Sequence, residues 1–336
     1  MPLQALPPPS TGTDSGAKLL NPSPGNLATG EVQRIHLFSE IKDIFRDFLS
    51  RLKYQAPHSS INTQLRIEVA AEIESWKAGL TPTFIDGVTD TGCGMVESAY
   101  AHLPYKHQFL VAIYAVYLLY VDDLGQHKVD ALGQVGRWLA AREEVSDPIL
   151  KRMVAKFDEM YEYFPALSAD LINANIVEGI IGRHIECVTS NTGMVVGSGA
   201  TLYATSLRLK TGIGAAFALF NFPKGWRHPD DYYYLQVSPA IEHNICAIND
   251  ILSFYKETLE GETDNYVHTR AAAESKEPLT VVRELVEETL DNIHNIELLT
   301  AADEQLAMIC RGHLMGYVEF NLRAKRYRLQ ELDLEI

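Results

Sequence analysis

The chain has 336 residues, 46% of them hydrophobic, which is ample for one large buried core. Its 44 acidic residues against 29 basic ones leave a formal charge of −15, which argues against nucleic acid or an anionic membrane as the main partner. No apolar run reaches the length of a membrane-spanning helix, about 18 residues. Cys93, Cys187, Cys246 and Cys310 lie far apart and form no CxxC pair, so they read as reduced core thiols of a cytoplasmic protein.

Residues 1–30 are rich in Pro, Ser, Gly and Thr and contain no apolar h-region, so a disordered leader is expected rather than a signal or transit peptide. From Glu31 the pattern turns helical: Ile35, Phe38, Ile41, Phe45, Phe48 and Leu52 recur at three- and four-residue steps. Further helices are predicted near 59–80, 92–103, 106–123, 130–141, 147–163, 167–188, 202–219, 230–257, 277–299 and 302–331. Pro82, Pro104, Gly125, Pro165, Pro223 and Gly261 punctuate them. The one strand-like stretch, residues 193–205, is glycine-rich, lacks a P-loop lysine and reads as a loop. No internal repeat is visible. The expectation is an all-α protein with a single domain over residues 31–336.

Two polar clusters interrupt these apolar helices. Residues 107–120 (HQFLVAIYAVYLLY) form a strongly apolar run that ends in Asp122-Asp123. Two adjacent carboxylates at the C-terminal end of a buried helix repel each other and face the negative end of its dipole, so a cation is wanted there. The plainer reading is that the pair ends the helix in water, with Gly125 as its C′ residue.

The second cluster is Asn249, Ser253 and Glu257, spaced i, i+4, i+8. At about 100° per residue, each step of four drifts only about 40° around the helix, so the three side chains share one stripe. An amide oxygen, a hydroxyl and a carboxylate are the oxygen donors that a hard cation such as Mg2+ prefers. Lys256 adds positive charge beside them, which suggests a phosphate as the remaining ligand. The alternative is an ordinary solvent-facing polar stripe, but residues 241–248 (IEHNICAI) read as buried, and the stripe continues that core-facing element.

Taken in order, these segments resemble the class I terpene synthases, and among them the fungal trichodiene synthase-like sesquiterpene cyclases. Residues 249–257 (NDILSFYKE) match that family's second metal motif, and Asp122-Asp123 the start of its aspartate-rich motif. Residues 207–212 (LRLKTG) resemble the segment carrying the pyrophosphate-sensing arginine, here Arg208, with Gly212 at the effector position. Residues 316–318 (GYV) and 326–329 (RYRL) resemble the segment with the Arg-Tyr pair, here Arg326 and Tyr327; residues 222–224 (FPK) match a family turn. The similarity runs from about Phe84 to Leu329.

The resemblance implies a class I helical bundle around an apolar cavity, with residues 31–336 as its catalytic domain. It implies a trinuclear Mg2+ cluster held by Asp122, Asp123, Asn249, Ser253 and Glu257. Arg208, Lys256, Arg326 and Tyr327 would contact diphosphate, and Tyr114, Leu118, Phe84, Gly212, Phe217 and Phe254 would line the substrate cavity, with Phe220 a further candidate. The substrate would be farnesyl diphosphate; no nucleic acid or membrane partner is implied, and a homodimer is compatible with it. There are two departures from the pattern. Gln126 stands where the aspartate-rich motif usually ends in an acid, and only nine residues follow Tyr327. The resemblance is therefore to the family's chemistry, with no claim to trichodiene as product. A chain-elongating prenyltransferase lacks support, because there is no second DDxxD, and protonation-initiated cyclisation lacks its DxDD. The non-enzymatic alternative is a helical interaction module with a degraded site.

Overall fold

The structure, a computed structural model, describes residues 24–334. Residues 1–23 of the expected leader lie outside the described residues. By internal packing the chain divides after Glu40, the second unit being Ile41–Ile336. Among the described residues every regular element is a helix and there is no strand.

In chain order the helices are α1 (Pro24–Arg51), α2 (Thr63–Ser75), α3 (Pro82–Ala99), α4 (Tyr105–Leu124), α5 (Val129–Ala141), α6 (Pro148–Ala155) and α7 (Met160–Tyr163). They continue as α8 (Ala166–Asn191), α9 (Thr201–Gly212), α10 (Gly214–Leu219), α11 (Ser238–Glu260), α12 (Tyr266–Glu274), α13 (Pro278–Thr300) and α14 (Glu304–Arg323). Two short 3-10 turns, Lys325–Tyr327 and Leu329–Leu332, close the chain. No described helix is long and apolar enough to cross a membrane. All four cysteines are free and buried.

Local chemistry sets the helix starts. Thr81 accepts from the Phe84 amide and Pro82 occupies the first turn, so α3 begins ten residues before the position the hydrophobic pattern suggests. Gly87, Gly92 and Gly94 weaken the pattern over that stretch without ending the helix. Asp147 caps α6 through the amides of Ile149 and Leu150, and Asp303 caps α14. The predicted helix at 202–219 is two helices. They are broken at Ile213, a β-branched residue held at φ 49°, a conformation that costs such side chains energy. Residues 230–237 form a loop and a 3-10 turn, so α11 starts at Ser238; α12 was not anticipated, being short and rich in alanine.

The layers that matter for the site are α3 against α4 and α14, α8 against α9 and α10, and α11 against α10, α13 and α14. Gly316 sets the α14–α3 distance: a Cβ there would lie 2.0 Å from the Ser98 carbonyl oxygen. These packings leave a central apolar hollow between α3, α4, α8, α9, α11 and α14.

Candidate active site

The hollow is a cavity of about 210 Å³. Its walls are Met95 from α3, Leu118 and Leu119 from α4, Phe217 from α10, Ile245 from α11, and Tyr317 and Phe320 from α14. Charged and polar groups gather at one end: Asp122, Arg183, Glu186, Arg208, Asn249 and Tyr327. A larger apolar groove of about 350 Å³ lies between α11, α13 and α14, behind the wall that Ile245 and Tyr317 share with the cavity. The convergence of opposite charges singles out the smaller cavity as the place for chemistry.

Arg208 is the structural centre of that polar end. Its Nε donates to both carboxylate oxygens of Asp250 at 2.8 Å. Its Nη2 donates to the Cys246 carbonyl and to Asn249 Oδ1, each at 3.2 Å. Gly212 makes this possible, since a Cβ there would lie 2.6 Å from Arg208 Nη1 and from Cys246 Sγ. Burial opposes charge on both partners, lifting the Asp250 carboxyl above its ordinary range. It is countered on the arginine side by the attraction of Asp250, which holds the guanidinium charged. Two contacts at 2.8 Å from a group that does not lose its proton keep the pair ionised.

Asn249 is thereby oriented: its Oδ1 faces Arg208, while its Nδ2 donates to the Tyr327 hydroxyl at 3.0 Å. One turn on, Ser253 is 4% exposed and its Oγ has no hydrogen-bond partner of normal geometry. The next turn brings Glu257, whose carboxyl is pushed up to about 7, chiefly by burial; the nearby Ser253 hydroxyl pulls the other way. Glu257 also accepts from Asn265 Nδ2 at 2.7 Å. Lys256 is turned onto Glu260 at 2.7 Å and onto Glu262, rather than into the cavity.

At the opposite lip, α4 runs through Asp122 and Asp123 to Leu124, and Gly125 keeps a right-handed helical φ of −57°, leading into a 3-10 turn. Arg326 supplies the cation that the acidic pair wants: its Nη2 lies 3.4 Å from Asp122 Oδ2 and from Asp123 Oδ1. Burial raises the Asp123 carboxyl above its usual range, and Arg326 opposes that rise.

The expected site residues thus fall into groups. Asp122, Arg208, Gly212, Asn249, Tyr327, Leu118 and Phe217 line one cavity. Asp123 and Arg326 join it through the contacts at its lip, and Ser253 and Glu257 follow Asn249 along α11. Tyr114 lies buried below, its hydroxyl donating to the Lys156 carbonyl at 3.1 Å and its ring against Tyr117 and Phe220. Phe254 stacks on His268, and Phe84 stands in the first turn of α3; neither lines the cavity.

Three residues had no reading of their own in the sequence. Asp250 sits inside the 249–257 segment, and its place beside Asn249 was the available signal. Arg183 and Glu186 on α8 had none, since an i, i+3 pair of opposite charge is ordinary on a solvated helix face.

The oxygen-only donor set, the orphaned Ser253 hydroxyl and the desolvated Glu257 carboxyl fit a hard divalent cation. Among the described residues no three His, Cys, Asp or Glu side chains stand close enough to hold an ion unaided. Asp122 and Asp123 are held by Arg326, Asp250 by Arg208 and Glu186 by Arg183, while Glu257 accepts from Asn265.

A profile of the family described as Trichodiene synthase (TRI5) matches residues 69–335. The chain belongs to that family. It is a terpene cyclase by membership, and curated relatives agree. Terpene synthase BipA of Cochliobolus sativus is 29% identical over 309 residues, covering 91% of this chain and 94% of that protein. Trichodiene synthase of Fusarium poae is 26% identical over 263 residues, covering 76% and 68%. Among solved structures, the linalool/nerolidol synthase of Streptomyces clavuligerus in complex with 2-fluorogeranyl diphosphate superposes with a TM-score of 0.63. At 12% identity, over 79% of this chain and 100% of that one, it shows the shared class I helical fold.

Proposed function

We propose that this terpene cyclase is a Mg2+-dependent sesquiterpene synthase that ionises farnesyl diphosphate and closes the resulting cation into a cyclic product. The observation that carries the reading is the anchoring of Arg208 on Asp250 and Asn249 at the charged end of an apolar cavity, opposite Asp122.

Asp122 and Asp123 on one side, and Asn249, Ser253 and Glu257 on the other, would hold the metal. Bound there, Mg2+ acts as a Lewis acid that neutralises the departing diphosphate, an effect worth several kcal/mol. Arg208, Arg326 and Tyr327 would take diphosphate oxygens, and Lys256 would join them after leaving Glu260 and Glu262. The 3.4 Å contacts of Arg326 with two half-exposed aspartates are long enough to be exchanged for shorter ones to phosphate.

Cleavage of the allylic C–O bond sends both electrons to the diphosphate and leaves a carbocation in the cavity. Met95, Leu118, Leu119 and Ile245 keep water from it, while the faces of Phe217, Phe320 and Tyr317 offer π density to positive charge. Loss of a proton, or capture of one water, ends the sequence.

Incubation of the purified chain with farnesyl or geranyl diphosphate and MgCl2, followed by gas chromatography–mass spectrometry, tests this. A cyclic fifteen-carbon product formed from the farnesyl substrate only with the metal present is expected. Acyclic products alone, a longer diphosphate or no turnover would each overturn it.

A further inference from the structure

The groove behind the reaction cavity has no part in the chemistry above, yet it is the larger space, about 350 Å³ against about 210 Å³. Its floor is buried and apolar: Ile241, Ile245 and Ile248 from α11, Ile293 and Ile296 from α13, and Leu314 from α14. The isoleucines recur at steps of three and four, so α11 and α13 each turn one apolar stripe toward the same space. Where α13 gives way to α14, the lining is the small Ala301, exposed, and Ala307, half-buried, so the groove opens to the surface there.

Charge sets the character of that mouth. Glu297, Glu304 and Arg311 line it and are exposed, and Arg311 Nη1 already lies 3.7 Å from Glu297 Oε1. Two carboxylates against one engaged cation disfavour an anionic ligand. Deeper in, the polar groups serve the protein: Asn244 Oδ1 accepts from Asn292 Nδ2 at 2.8 Å, and Thr300 Oγ1 donates to the Ile296 carbonyl at 2.8 Å. Burial pushes the His313 imidazole down to about 3, so it adds no positive charge at neutral pH. The reaction cavity has the opposite polarity, with Arg183 and Arg208 at its charged end.

We propose that this groove is a second binding site, which takes up the neutral cyclic product in preference to its diphosphate precursor. This rests on the function proposed above. Ionisation and ring closure remove the diphosphate, so substrate and product differ in the property on which the mouth selects. A hydrocarbon leaving the reaction cavity gains free energy by covering apolar surface, and the isoleucine floor supplies that surface. The volume lies within the range of small-molecule sites, about 300–1,000 Å³, and exceeds that of the cavity in which the same carbon skeleton is built. Ile245 and Tyr317 line both spaces and set the two sites back to back.

The test uses the full chain without metal and the neutral naphthalene dye prodan, whose fluorescence reports an apolar site. Leu118→Trp fills the reaction cavity and isolates the groove; adding Ala307→Trp fills the groove as well. Prodan should bind Leu118→Trp and be displaced by β-caryophyllene, a cyclic fifteen-carbon hydrocarbon, with farnesyl diphosphate at least about tenfold weaker as competitor. In the double variant the affinity for dye and hydrocarbon should fall at least about tenfold. Should either tryptophan bring the unfolding temperature into the assay range, Leu119→Trp in the cavity or Ala301→Trp at the mouth replaces it. No dye binding to Leu118→Trp, undiminished binding in the double variant, or equal competition by farnesyl diphosphate overturns the proposal. So does a dimer in sedimentation velocity that Ala307→Trp dissociates, which would give the groove to a second copy of the chain. Neither metal nor turnover enters these affinities, so they fail only if the groove is misread. A wild type that makes no cyclic product with Mg2+ instead overturns the function reading on which the identity of the occupant rests.

Discussion

Arg208 on α9 grips Asp250 on α11 with both carboxylate oxygens at 2.8 Å from one Nε, and both side chains are largely buried. The pair joins the predicted diphosphate sensor to the helix that bears the predicted metal ligands. It also confounds the obvious experiment. Arg208→Ala would strand Asp250 as an unpaired buried charge, a loss of about 3–5 kcal/mol, so lost activity could reflect lost folding.

Two variants separate these effects. Arg208→Lys keeps the charge but cannot reproduce the fork, so activity should fall by at least about a hundredfold. The double variant Arg208→Gln with Asp250→Asn replaces the ion pair by a neutral one. It should recover most of the unfolding temperature while staying inactive and giving no thermal response to diphosphate with Mg2+. A double variant stabilised by diphosphate as strongly as the wild type would show that Arg208 does not bind the anion.

Ser253 offers a sharper test of the α11 stripe, because its hydroxyl is buried near the Glu257 carboxyl with no hydrogen bond of normal geometry. Such a group destabilises a fold unless it serves a ligand. Ser253→Ala should therefore raise stability in buffer by about 1 kcal/mol and at the same time lower Mg2+-dependent turnover at least about tenfold. Chemical denaturation and steady-state assays on the same preparation read both quantities. A variant that is stabilised and fully active would mean that Ser253 is not a ligand.

The fold class was legible because long apolar runs such as residues 107–120 admit little but buried helix. The i, i+4, i+8 spacing of Asn249, Ser253 and Glu257 likewise placed all three on one helix stripe. Boundaries were less legible where capping chemistry outweighed hydrophobic pattern, as with Thr81 and Pro82 at the start of α3. The break at Ile213 was hidden because a β-branched residue in a left-handed conformation runs against its own preference, and only the surrounding packing enforces it. Arg183 and Glu186 were invisible for a different reason: their meaning lies in the nearness of α8 to the end of α4. The wish for a cation beside Asp122 and Asp123 was readable from charge alone, but its source, Arg326, lies 204 residues from Asp122.

The two ends of the aspartate-rich segment should behave unequally. Asp122 lines the cavity, whereas Gln126 is engaged with Asn191 outside it. Asp122→Ala should lose at least about a hundredfold in turnover, and Gln126→Ala should stay within about threefold of the wild type, as expected of an exposed side chain remote from the chemistry. Equal losses in the two variants would give Gln126 a direct role.

His313 on α14 predicts a pH effect on folding that is independent of the metal site. Its ring lies between Tyr100 and Tyr317, with both nitrogens buried and lacking hydrogen bonds of normal geometry. Burial, aided by nearby His102, pushes its pKa down to about 3. The unfolded chain protonates this ring near pH 6.5, while the folded chain does so only far below. The unfolded state therefore binds the extra proton, and stability falls as pH drops from about 6.5 toward 3, by at most about 1.4 kcal/mol per unit. Above pH 6.5 this contribution is fully present. His313→Phe keeps a ring between the two tyrosines but removes the titration. The difference in unfolding temperature between the variant and the wild type should then shift in the variant's favour as pH is lowered from 7.5 to 4.5. A difference that stays constant across that window would show that His313 does not titrate on unfolding.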